Sequence, residues 1–307
     1  MASNPVTLCV DLGKTSCRVA LLDGTHTLAE SAGDGLPGAS ALGAVPAITD
    51  RIATLAARLA VGSVHRPVGV GAGVAGTLTA PEAARSIAES LAAAVSLPVA
   101  VSSDIVTAHI GALGGGPGVV LVAGTGAVAL GVDEDGTLRV VDGWGPELGD
   151  LGSGTWIGRE GVRATLRAGV GLAAPTALTD ALQTLTQGVD PVRWVAAATS
   201  PAATVARFAP AVLDAAAAGD PAASDITGRA LAYLAETAAA AAPPAGTAAV
   251  AVLGGLTGHQ WFAEQVIASL TARGLQPVAS AGTALHGAWH MASRADFPHE
   301  RYVHRAE

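Results

Sequence analysis

Residues 6–33 read VTLCVDLGKTSCRVALLDGTHTLAESAG, and residues 118–145 read GVVLVAGTGAVALGVDEDGTLRVVDGWG. Each has an apolar strand, a Gly-containing turn, a second apolar strand, an Asp-Gly turn and a third strand. Asp-Gly between alternating apolar runs is a strong hairpin signal. The interval from Gly13 to Gly24 is nearly matched by that from Gly126 to Gly136. Both stretches are therefore predicted to be three-stranded antiparallel meanders, and the chain to hold an internal duplication.

Mixed α/β patterning follows each copy. Downstream of the first, AITDRIATLAARLAV (47–61) repeats apolar residues at helical spacing. PVGVGAGVAG (67–76) is a short buried strand. The next run, 77–95, is a helix with Thr79 and Glu82 spaced as a capping box. PVAVSSD (98–104) is a strand that delivers Asp104 at its end, and IVTAHIGAL (105–113) is a helix. Downstream of the second copy, helices dominate 153–242. A strand ending in glycines (248–258), a helix (260–274), a strand (276–280) and a last helix (283–294) complete the pattern. The run 237–248 reads as a break, and the polar tail after Arg294 as loosely held. The fold class expected is α/β: two facing lobes, 1–113 and 114–307, with the last helix able to return to the N-terminal lobe. Duplicated lobes commonly bind ligands at their interface.

Composition narrows the class of function. A chain of 307 residues is long for one core and fits two domains. Its net charge of −8, without a basic block, argues against nucleic acid or an anionic membrane as partner. No apolar run suits a bilayer span and the N-terminus has no secretory pattern, so a cytoplasmic protein is expected. The two cysteines, Cys9 and Cys17, cannot supply a structural zinc site and read as reduced core thiols.

The turns carry the chemistry. In DLGKTS the N–H groups of Gly13, Lys14 and Thr15 form a compact arc, and successive N–H groups of this kind bind anions. Asp11 stands just before the arc, where a carboxylate beside phosphate makes sense if Mg²⁺ lies between them. AGTGA offers the same arc at Gly124, Thr125 and Gly126 without a carboxylate. One acidic and one neutral copy suit a nucleotide held from two sides, with metal on one. A plain structural turn is the bland alternative for either copy alone. Lys14 can touch phosphate or sit solvated. His109 reads as a structural histidine, and Asp142 as a strand-end residue.

The third Gly-rich stretch is GWGPELGDLGSGTWIGREG, 143–161. With VDLGKTSCRVALLD, LVAGTGAVALG and AVLGGLTG, it resembles the N-acetylglucosamine kinase branch of the actin/hexokinase/heat-shock ATPase superfamily, grouped with the BadF/BadG/BcrA/BcrD ATPases. The resemblance covers most of the chain. It implies ribonuclease H-like lobes, ATP and Mg²⁺ as cofactors, a sugar as substrate and a homodimer. The first two motifs correspond to the phosphate loops, and Gly254 and Gly255 fall where the adenosine passes. SSDIVTAHIGAL (102–113) matches the segment bearing the catalytic aspartate, which falls on Asp104. Gly143, Trp144 and Gly145 would line the sugar pocket, and Asp150 would accept hydrogen bonds from sugar hydroxyls, as an acceptor-only group can. The simpler role for Asp150 is helix capping.

Three departures reduce polarity at the expected sugar site. The loop AGDGLPGAS (32–40) has no asparagine, so Asp34 or backbone must substitute. Leu151 replaces a glutamate, and Ala127 follows the second turn. The reading is an ATP-dependent kinase of an amino sugar, with N-acetylglucosamine giving its 6-phosphate in first place. Glucosamine or another hexose as acceptor, a BadF-type ATPase that is no kinase, and a sugar sensor without catalysis stay open.

Overall fold

The computed structural model describes residues 5–61, 64–243 and 249–307. The chain opens with β1 (Val6–Leu12), β2 (Ser16–Asp23) and β3 (His26–Asp34), then α1 (Ala44–Ala60), β4 (Val70–Val74), α2 (Pro81–Val95), β5 (Val99–Ser102) and α3 (Asp104–Leu113). The second copy follows as β6 (Gly118–Ala123), β7 (Ala127–Val132) and β8 (Leu138–Asp142). Six helices come next: α4 (Gly154–Gly169), α5 (Leu178–Thr186), α6 (Pro191–Ala196), α7 (Pro201–Ala206), α8 (Ala209–Ala217) and α9 (Pro221–Ala241). The chain ends with β9 (Ala249–Leu253), α10 (Gln260–Ala272), β10 (Gln276–Val278), α11 (Ala284–Ser293) and β11 (His304–Ala306). Among the described residues, one compact unit takes those of 1–117, 132–137 and 279–307, and a second those of 118–131 and 138–278.

In the first unit the strands order as β11-β5-β4-β1-β2-β3. The meander pairs antiparallel, whereas β1, β4 and β5 run parallel. Parallel strands need cover on both faces, and period-2 alternation sorts the residues between them. Leu8, Val10 and Leu12 of β1 pack with Ile48, Ile52 and Leu55 of α1 and with Ile87 and Leu91 of α2. Cys9 points to the other face, with Leu285 and Ala288 of α11. Both thiols are free and buried. Asp11 shares the parity of Cys9, so alternation turns it towards the face that carries α3 and α11.

In the second unit the order is β10-β9-β6-β7-β8, with β9 parallel to both β6 and β10. Its core joins Val119 and Leu121 of β6 to Ile157, Phe208, Leu234 and Phe262 from the helices. The connection between β6 and β7 is three residues, 124–126, the same length as 13–15 between β1 and β2.

Three sequence expectations are corrected. Thr79 and Glu82 form no capping box. Pro81 starts α2 one position later than the box requires, Ala80 is the cap residue, and Thr79 bonds back to the Gly76 carbonyl at 3.0 Å. The break assigned to 237–248 begins later, since 237–241 remain in α9, and residues 244–248 lie outside the described residues. The tail after Arg294 is not loose. Phe297 and His299 are buried, Ser102 Oγ donates to the Tyr302 carbonyl at 2.8 Å, and β11 adds to the sheet edge beside β5. Arg305 forks onto Glu300 at 2.6 and 2.9 Å, closing the turn before the strand. His299 Nε2 meets His109 Nδ1 at 3.0 Å with both rings fully buried, so His109 is structural. Burial pushes His299 down to about 3.

Candidate active site

The first unit assembles a carboxylate pair by backbone contacts. Asp11 lies opposite Gly73 across the β1–β4 pairing. A Cβ on Gly73 would stand 2.1 Å from Thr107 Oγ1, so α3 sits directly on β4 there. Thr107 Oγ1 in turn donates to the Asp104 carbonyl at 2.9 Å. Only glycine at 73 permits this approach, which brings the first turn of α3 alongside Asp11.

Asp104 occupies the first helical position of α3, not the cap; Ser103 is the cap residue and makes no side-chain capping bond. Its hydroxyl donates instead to Asp104 Oδ1 at 2.9 Å, where the Ile105 N–H also donates at 2.9 Å. Asp104 thus takes one N–H of the first turn of α3 itself, through the same oxygen that Ser103 meets. Burial raises the Asp104 carboxyl above the usual range, against the pull of these donors and of Lys14. Asp11 is pushed up to about 6 by burial and then by the Asp104 charge, while Arg18 pulls the other way. Arg18, which the sequence reading passed over, pairs with Asp11 in register and holds Glu30 at 2.8 Å. The alternation of β2 against β1 was the signal that could have found it.

The turn itself is tied at its base. The Gly13 N–H donates to the Ser16 carbonyl at 2.9 Å, and the Gly13 carbonyl accepts from Leu36 at 3.3 Å. Among the described residues, no protein acceptor takes the N–H of Lys14 or Thr15. Both residues are exposed. Gly35 lies flat on this turn, where its Cβ would come within 2.5 Å of the Gly13 carbonyl oxygen. Asp34, one of the two substitutes considered for the missing asparagine beside a backbone group, ends β3, and its carbonyl accepts from Arg51.

The second unit gathers the other motifs. Gly254, at φ 107°, packs where a Cβ would stand 2.4 Å from the Ala123 carbonyl oxygen, so only glycine fits. The carbonyls of Gly124 and Thr125 accept from the N–H groups of Gly154 and Thr155 at 2.8 and 3.1 Å. The first turn of α4 thus clamps the second phosphate-type turn. Gly255 is exposed beside it. Asp150, at φ 54°, lays its carboxylate against the same turn, with Oδ2 placed 3.0 Å from where a Gly126 Cβ would be. It does not cap α4; Ser153 does, accepting from Trp156 N–H at 3.1 Å. Of the sugar-loop residues, Gly143 and Trp144 are exposed and Gly145 half-buried. Asp142, read from sequence as a mere strand end, is buried and accepts from the N–H groups of Asp150 and Leu151 at 2.7 and 2.9 Å.

Two α/β units, each opening on a three-stranded meander with a three-residue turn, define the actin/hexokinase type of fold. The chain belongs to the BadF/BadG/BcrA/BcrD ATPase family, whose model matches residues 8–288. It is similar to a candidate N-acetylglucosamine kinase from Chromobacterium violaceum, at 28% identity and a TM-score of 0.71, over 94% of this chain and 99% of that one. It also matches the N-acetyl-D-glucosamine kinase of Dictyostelium discoideum at 40% identity over 80 residues, a stretch spanning 25% of each protein. A glucokinase of Streptomyces griseus, solved with glucose and AMPPNP, shares the fold at 20% identity and a TM-score of 0.60, over 94% of this chain and 99% of that one.

Proposed function

We propose that this protein is an ATP-dependent kinase that moves the γ-phosphoryl group to a hydroxyl of an amino sugar, with N-acetylglucosamine giving its 6-phosphate as the leading reaction. The observation that carries the proposal is the raised Asp104 carboxylate at the start of α3, electrostatically coupled to Asp11 and to Lys14 of the first turn. Phosphoryl transfer asks the protein for positioning and charge neutralisation more than for covalent chemistry. Asp104 accepts the proton of the attacking hydroxyl as the new O–P bond forms, a role favoured by a carboxyl that burial holds above its ordinary range. The N–H groups of Gly13, Lys14 and Thr15 and those of Gly124, Thr125 and Gly126 hold phosphate oxygens. Gly254 and Gly255 let the adenosine lie close to backbone. Asp150 and the loop at Gly143, Trp144 and Gly145 bind the acceptor.

The residues suit Mg²⁺. Asp11 and Asp104, both raised by burial and Asp11 also by the Asp104 charge, form a hard-oxygen setting, with Arg18 and Lys14 as the cations that pull on them. Asp11 would hold the ion through water, and the ion would supply neutralisation of charge between the phosphates. We further place the protein in the cytoplasm as a homodimer. No described helix is long and apolar enough to cross a membrane.

The cluster-dependent ATPase alternative needs exposed cysteines. Cys9 and Cys17 are both fully buried, and burial pushes both thiols up, Cys17 to about 11. The deciding experiment is ADP release with N-acetylglucosamine, glucosamine, N-acetylmannosamine, N-acetylmuramic acid and glucose. Sugar-dependent release, greatest with N-acetylglucosamine, is expected. Release independent of every sugar would overturn the kinase reading.

A further inference from the structure

Asp142 ends β8 with φ 63°, a left-handed conformation uncommon for any residue but glycine, although aspartate tolerates it better than most. Its side chain is buried, yet both carboxylate oxygens are used. Oδ1 accepts from the Asp150 N–H at 2.7 Å and Oδ2 from the Leu151 N–H at 2.9 Å. One carboxylate thereby ties the two ends of the 143–149 loop across eight positions. Gly149 is pressed against the same group, since a Cβ there would fall 2.2 Å from Asp142 Oδ1 and 3.1 Å from Trp144 Cβ. The loop is braced further by backbone, the Gly149 N–H donating to the Gly145 carbonyl at 2.8 Å and the Gly143 N–H to the Ala127 carbonyl at 3.0 Å. Arg159 Nη1 donates to the Pro146 carbonyl at 2.7 Å. Trp144, Glu147 and Leu148 along it are exposed, so packing alone does not hold its shape.

We infer that Asp142 is a positioning residue for the acceptor sugar: its carboxylate clamps the base of the 143–149 loop and sets the backbone from which Asp150 projects. The inference rests on the kinase reading for the identity of the ligand, but not for the clamp itself. The chemistry needs an ionisable acid here. A carboxylate offers two acceptors to two N–H donors, and charge-assisted bonds of this kind are the strong ones. An amide has one acceptor and would set its own N–H₂ against the second donor. The strained φ persists because the two bonds over-determine it.

Two variants and two readouts test this. D142N keeps the shape and removes one acceptor. D142G removes both while relieving the left-handed φ, so its backbone is not strained. Hydrogen exchange followed by mass spectrometry should show the peptide carrying residues 150 and 151 exchanging roughly tenfold faster in both variants. Peptides of the first unit should be unchanged. Steady-state kinetics should show the acceptor KM raised roughly ten- to a hundredfold, the scale on which misplaced binding groups act. The KM for ATP should stay within about twofold. Unchanged exchange at 150 and 151 overturns the clamp, and this holds even if the wild type phosphorylates no sugar, a result that would remove only the kinase reading. Faster exchange with an unchanged acceptor KM, or with both KM values rising together, overturns the positioning role.

Discussion

The two turns that follow the first strand of each unit have the same length and a similar sequence, but different surroundings. The turn at 13–15 stands beside a carboxylate pair that the fold holds in electrostatic conflict, Asp11 and Asp104. The turn at 124–126 has its carbonyls tied to the first turn of α4 and the Asp150 carboxylate laid against it. Under the proposed function both turns hold phosphate. What differs is what each turn has beside it: the buried Asp11 and Asp104 carboxyls for one, the first turn of α4 for the other.

The largest effect is expected where the acid copy is disarmed. Asp104→Asn should lower kcat by roughly 10²–10⁴-fold, the usual worth of general base catalysis, while sugar affinity measured by calorimetry changes far less. Near-wild-type turnover would return Asp104 to a structural role.

A glycine comparison sharpens the contrast. Gly254→Ala drives a Cβ into the Ala123 carbonyl at a φ suited to glycine. It should destabilise the protein by about 1–3 kcal/mol, the scale of local backbone strain, and raise the KM for ATP. At Gly13 the nearest atom to an added Cβ is the Ser16 carbonyl oxygen, 3.7 Å away, an ordinary contact. Gly13→Ala should therefore leave the melting temperature nearly unchanged. Equal losses from both substitutions would contradict the difference in packing.

These cases also show what was legible in the sequence. The meanders, the glycine turns and the α/β order follow from period-2 and helical spacing, which are local. The role of Asp142 was hidden because it depends on two N–H groups eight and nine positions away. The tail was misread because Phe297, His299 and Tyr302 are too sparse to show a period, although His299 meets His109 of α3, Ser102 of β5 bonds to the Tyr302 carbonyl, and β11 beyond them pairs with β5. Asp104 was placed by resemblance, whereas its closeness to Asp11 comes from Gly73, whose significance appears only once β4 meets α3.

The burial of Asp11, with the Asp104 charge beside it, also has a stability consequence. A carboxyl whose folded value is about 6 binds protons more readily folded than unfolded, where it titrates near 3.8. Stability from this group is therefore greatest below about 4 and is lost as pH rises to about 6. Asp11→Asn should raise the stability of the ligand-free protein at pH 7 by up to about 3 kcal/mol, from a shift of about two units. A variant no more stable than wild type in denaturant titrations would argue against this cost of burying Asp11 beside Asp104.

An effect with the opposite pH sense is expected from His299, which burial pushes down to about 3 when folded against 6.5. The unfolded chain binds the proton more readily, so stability falls as pH drops from about 6.5 towards 3, by at most about 1.4 kcal/mol per pH unit. His299→Gln should flatten that limb of the stability profile. His109 is the titratable group facing it. An unaltered slope would show that another group governs acid sensitivity.

The division of labour between the two turns is tested most directly by the Mg²⁺ dependence of turnover in Asp11→Asn beside wild type, using a sugar that the wild type phosphorylates. Turnover should be largely lost, or the Mg²⁺ needed for half-maximal rate raised by at least about tenfold, while sugar binding without nucleotide is unchanged. Wild-type turnover at wild-type Mg²⁺ dependence would contradict the account.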